Sequence, residues 1–145
     1  MFRYQTTIDV NATSAKTMSY LCDVERQPEW QPDIRSCSWD AAGPTEVGKT
    51  ARQVLRLLGR EREATLTVDA HEPERRIRFT KVIPFPIRFG WRLEPIGEAS
   101  TRIFYEVEAE PRGTFRLLSP LIAPGVRRTM EKEIRIIKDR VESLP

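Results

Sequence analysis

Gln53, Lys81 and Tyr105 are the side chains best placed to do chemistry in this chain of 145 residues, because alternation puts each on the apolar side of a strand. A carboxamide, an ammonium and a phenol in such surroundings can orient a guest by hydrogen bonds or charge, and Tyr4 is a further group of that kind. Lys81 ends its strand, where an acidic head group would meet it. Other reactive types are sparse. The single histidine, His71, precedes Glu72-Pro73 and reads as a turn residue. Cys22 and Cys37 make neither a disulfide framework nor, with one histidine, a zinc site, and read as buried thiols. Gly-x-Ser-x-Gly, Walker and Gly-x-Gly-x-x-Gly patterns are missing from the sequence. No cofactor and no metal is therefore expected.

The elements that must hold these residues follow from periodicity. Phe2 to Val10 alternates as a strand, and Asn11-Ala12-Thr13-Ser14 offers capping oxygens to a helix over 15–24 with Met18, Leu21 and Cys22 on one face. Pro28 and Pro32 end it, leaving room for one short further turn. After Pro32 and up to about Glu110 the chain meanders through six more strands, apolar on one side and rich in Arg and Glu on the other, the pattern of an antiparallel sheet wetted on one face. Val126, Met130, Ile134, Ile137 and Val141 then form a helical stripe. It predicts a helix from about Pro124 to Ser143, roughly 30 Å long at ~1.5 Å per residue. This helix is the expected lid over the apolar face of the sheet.

Composition sets the outer bounds. Lys and Arg number 24 against 21 acids, a net +3 with both signs interspersed, so the arginines read as a solvated sheet face and no nucleic-acid partner is expected. With 39% hydrophobic and 31% charged residues and no visible linker, one globular domain over 1–145 is expected. The first residues lack the apolar core of a signal peptide, which makes the cytoplasm the default location.

Taken in order, the blocks Asp23-Val24-Glu25-Arg26-Gln27-Pro28-Glu29-Trp30-Gln31-Pro32, Val47-Gly48-Lys49-Thr50 and Trp91-Arg92-Leu93-Glu94-Pro95 with Thr101-Arg102-Ile103 resemble the START-like (SRPBCC) superfamily, nearest its polyketide cyclase/dehydrase and lipid-transport branch. The resemblance implies an α+β helix-grip fold: a curved seven-stranded antiparallel sheet wrapped around a long C-terminal helix, short helices after the first strand, and a cavity between sheet and helix. Gln27 departs from the aromatic common before that proline.

Inward positions fit a cavity wall. Trp39, Leu55, Leu66, Val68, Phe79, Phe89, Trp91 and Val107 supply apolar surface, with Ala64 among the small residues between them. Trp30, Met130 and Ile134 are expected to complete the wall around Gln53, Lys81 and Tyr105. In a meander alternate connections share one end, so Leu58, Phe85 and the segment holding Phe115, Leu118, Leu121 and Ile122 belong together. An apolar cluster there marks a portal and a place for transient membrane or protein contact, unless Phe115 to Ile122 folds back as a plug.

Three functions remain. The first is binding or carriage of a hydrophobic small molecule such as a lipid, isoprenoid or polyketide. The second, implied by the resemblance, is an aromatase/cyclase or dehydratase using Tyr105, Gln53 or Lys81 for enolisation and loss of water. It ranks second because the sequence offers no clear acid–base pair in the cavity. The third is a protein-interaction module like the chaperone-activating relatives of the fold.

Overall fold

The computed structural model describes residues 2–145. Seven strands form one antiparallel sheet: β1 (Phe2–Val10), β2 (Ile34–Trp39), β3 (Thr50–Leu57), β4 (Arg60–Glu72), β5 (Arg76–Lys81), β6 (Ile87–Gly97) and β7 (Ser100–Ala109). Their spatial order is β1-β7-β6-β5-β4-β3-β2: the expected meander runs from β2 to β7, and the structure adds that β1 pairs with β7. Between β1 and β2 lie α1 (Ser14–Cys22), a 3-10 turn (Val24–Arg26) and the single-turn α2 (Gln27–Trp30); α3 (Thr114–Glu142) follows β7.

The sheet curves because its ladder is interrupted and because one residue lacks a side chain. Register shifts fall at Ile34/Ser36, Val68/Ala70 and Pro95/Gly97, each adding local bend and twist. Gly90 in β6 lies opposite Arg78; a Cβ there would stand 2.6 Å from the Arg78 Cα and clash with the Ile77 carbonyl. Glycine is required for β5 and β6 to approach so closely.

Three sequence expectations need correction. His71 is not in a turn: it is the last but one residue of β4, paired with Ile77, and the turn is formed by residues 73–75. The long helix starts at Thr114, ten residues before Pro124, with Pro120 and Pro124 inside it. Pro120 cannot donate to the Arg116 carbonyl, but Ser119 Oγ donates to that oxygen at 2.9 Å, so a lost backbone bond is replaced locally. Nor is α3 the only cover. It lies along β1 and against α2, while α1 packs over β5 and β6 and contributes Thr17, Met18, Tyr20 and Leu21 to the core.

Among the described residues, no helix is long and apolar enough to cross a membrane. The outer face carries the expected charges, with pairs such as Arg78–Asp69 at 2.6 Å and Arg3–Glu108 at 3.2 Å.

Candidate functional site

The centre of the grip is filled. Trp30 meets Trp91 edge-on with ring centroids 5.3 Å apart, Trp91 stacks on Tyr105 at 5.3 Å, and Phe79 stacks on Phe89 at 5.4 Å. Only about 10 Å³ remains among Leu66, Phe79, Trp91 and their neighbours, roughly the space of one water. Large flat rings interlock where the strands curve most, so the expected hollow is not at the centre of the sheet.

It lies at one end. A hollow of about 380 Å³ opens between the middle of α3, from Ile122 to Glu133, and the adjoining ends of β5, β6, β7 and β1. Phe85, Ile87, Phe89, Val107, Val126 and Met130 give most of its apolar wall, and Lys81, Tyr105, Glu133 and Gln31 give it a polar pole.

Two buried hydrogen-bond systems build that pole. Lys81, at the end of β5, is almost fully buried and donates to Gln53 Oε1 at 3.0 Å. Gln53 Nε2 donates to Gln27 Oε1 at 2.8 Å, and Gln27 Nε2 to Gln31 Oε1 at 3.3 Å. The chain of amides thus leaves the hollow at Lys81 and returns to it at Gln31, because α2 places residues 27 and 31 one turn apart. Across the pole, the Tyr105 hydroxyl donates to Glu133 Oε1 at 3.1 Å, joining β7 to α3.

Burial governs the protonation of these groups. It pushes the Lys81 amine down to about 8, against the opposing pull of Cys37 and Glu133. It raises the Glu133 carboxyl to about 7, although the Tyr105 hydroxyl and Lys81 hold it back. The Tyr105 phenol, raised well above its ordinary value by burial and by Glu133, stays a donor. An acid and a base that both exchange protons near neutrality therefore face one small volume.

Of the residues expected to contact a guest, Lys81, Phe89, Tyr105, Val107 and Met130 line the hollow. Gln53 reaches it through Lys81. Trp30, Leu55, Ala64, Leu66, Val68, Phe79, Trp91 and Ile134 are buried in the packed core away from its wall. Trp39 is half-buried, against Phe79 and with the Lys49 ammonium 4.3 Å from its ring. At the expected portal, Phe85 and Ile122 are on the wall and Phe115 packs on Phe85 at 5.3 Å. Leu118 and Leu121 are exposed on α3, and Leu58 is exposed at the tip of the β3–β4 hairpin.

Glu133, Gln27 and Gln31 escaped the sequence reading. Glu133 sits three residues after Met130 and four before Ile137, which is the spacing of the buried stripe. Its position gave the signal and its charge masked it. Gln27 was visible as a departure from the usual aromatic, and the structure gives the reason: Gln53 needs an acceptor there.

Comparison with known proteins agrees with this architecture. The family described as polyketide cyclase/dehydrase and lipid transport matches residues 1–142. A START superfamily protein from Mycobacterium smegmatis superposes with a TM-score of 0.76 at 19% identity, over 99% of each chain. The Zhui aromatase/cyclase from a Streptomyces species gives 0.76 at 16% identity, over 97% of this chain and 93% of that one. A STAR-related lipid transfer protein from Xanthomonas axonopodis gives 0.73 at 14% identity, over 97% and 86%. Identities this low speak for a shared fold. Comparison with curated proteins gives no match. By the extent of the family match, and with START-like neighbours across its whole length, the chain belongs to the polyketide cyclase/dehydrase and lipid transport family.

Proposed function

We propose that the protein takes up one hydrophobic small molecule, of lipid, isoprenoid or polyketide type, in the hollow between α3 and the ends of β5–β7. The observation that carries this reading is the hollow itself, about 380 Å³ of mostly apolar wall with a single polar pole. A cavity of about 150 Å³ holds a benzene ring, so this one suits two or three rings or a folded chain of similar bulk. Apolar burial supplies the affinity. The Lys81 ammonium, with Glu133 opposite, fixes which end of the guest enters first.

Titration with anilinonaphthalenesulfonate, an aromatic probe with an anionic head, tests this. One probe should bind per chain with strong fluorescence enhancement, and affinity should be about tenfold weaker in Lys81→Met, the loss of one charge-assisted bond. No saturable binding would contradict it.

A second reading, cyclase or dehydratase chemistry, is favoured by one observation: Glu133 at about 7 and Lys81 at about 8 face the same space. As carboxylate, Glu133 could take a proton from carbon between two carbonyls while Lys81 stabilises the enolate oxygen. Turnover of a polyketone analogue abolished by Glu133→Gln and reduced by Tyr105→Phe supports this reading; binding without turnover leaves the carrier.

A further inference from the structure

The first half of α3 carries a surface that the uptake of a guest does not explain. Leu117 and Leu121, one turn apart, are 81% and 79% exposed, with Leu118 beside them. The β5–β6 loop, tied to this stretch by the Phe85–Phe115 contact, exposes Val82, and the β3–β4 hairpin exposes Leu58 at the same end of the sheet. Soluble surfaces seldom gather so many free aliphatic side chains without a partner.

The charge pattern says what kind of partner. Between Glu110 and Glu131 the chain carries Arg112, Arg116, Arg127 and Arg128 and no acid. Arg112 pairs with Glu110 at 3.6 Å; among the described residues Arg116, Arg127 and Arg128 form no ion pair. Beyond Glu131 both signs alternate along the helix, so the one-signed stretch coincides with the exposed leucines.

We propose that this half of α3 docks the open end of the molecule on a bilayer surface containing anionic lipid. Exposed leucines on one side of a helix, with Arg116 and Arg127 to one side of them and Arg128 further along the same side, suit a helix that lies in a membrane interface. The leucines stand free rather than lining a groove. They can enter a deformable acyl layer, whereas a folded partner would need pockets shaped to each of them. Ile122, Gly125 and Val126, on the same stretch, belong to the wall of the hollow, so docking would set its mouth against the hydrocarbon and let an apolar guest pass without crossing water.

Flotation with phosphatidylcholine vesicles, with and without phosphatidylserine, tests the proposal. The expected result is binding to the phosphatidylserine vesicles alone, abolished at ~0.5 M salt, where screening is short-ranged. Leu117→Ser with Leu121→Ser should remove it. Arg127→Gln and Arg128→Gln should each weaken it about fivefold. All four positions are exposed and none lines the hollow, so probe uptake should persist in these variants and separates this proposal from the previous one. Equal binding to neutral vesicles, or binding to neither, would overturn it. So would a wild-type dimer in sedimentation that the leucine variant dissolves, because the patch would then belong to a second copy.

Discussion

Along α3 the later turns bury Met130, Ile134, Ile137 and Val141 completely or nearly so, whereas the first turns hold Leu117 and Leu121 in solvent. Polar ties follow the same division. At the far end Glu142 accepts from the Asn11 backbone N–H at 2.7 Å, Lys16 Nζ donates to the Leu144 carbonyl at 2.6 Å, and Lys138 Nζ donates to the Asp9 carbonyl at 2.8 Å. The near end meets the β5–β6 loop through rings, Phe115 on Phe85. One helix thus serves as core for half its length and as the rim of a hollow for the other half. Core packing and the wall of the hollow divide along it, with Met130 and Glu133 at the boundary.

That contrast should show first in stability. Ile137→Ala should cost about 2–4 kcal/mol of unfolding free energy, the loss of a fully buried side chain plus the cavity it leaves, while Leu121→Ala should change it by less than about 0.5 kcal/mol. Urea unfolding of both variants measures the difference; equal losses would mean that the two halves of α3 pack alike.

Glu133 sharpens the boundary through pH. Its native carboxyl sits at about 7 against 4.5 as the ordinary value, so the native state holds the proton more tightly. The stability this gives is fully present below pH 4.5 and is lost as pH rises through 7, by about 3 kcal/mol. Lys81 behaves in the opposite sense: lowered to about 8 from 10.5, it gives up its proton more readily when folded, so stability recovers between pH 8 and 10.5. Glu133→Gln should flatten the lower limb and, by removing a charge that helps Lys81 keep its proton, start the upper one at lower pH, as read by urea unfolding across that range.

The smallest effect concerns the open end alone. Leu58 adopts a left-handed conformation, φ 52°, ahead of Gly59 in a two-residue hairpin turn, where asparagine is preferred. Leu58→Asn should raise stability by about 1 kcal/mol, checked by the midpoint of thermal unfolding.

Strand pattern, meander order and the stripe of α3 were legible because alternation and helical spacing report which face is buried. The start of α3 was not, because Pro120 and Pro124 argue for a break that Ser119 repairs by a bond no pattern announces. The candidate site was half legible. Lys81, Tyr105 and Gln53 stood out as polar residues at inward positions, and Phe85 and Ile122 followed from the parity of the turns. The filling of the centre by Trp30, Trp91, Phe79 and Phe89 depends on ring orientations, which periodicity does not carry. Glu133 was lost because a stripe complete without it left its charge to decide.

Whether a guest occupies the hollow at the open end can be read by filling it from the sheet side. Val107 lines the hollow and is only partly buried, so tryptophan there projects into empty space. Isothermal titration of the aromatic probe should show one site in the wild-type chain and none in Val107→Trp, with the unfolding midpoint of the variant little changed. Undiminished binding to a folded Val107→Trp would place the guest elsewhere and contradict the account.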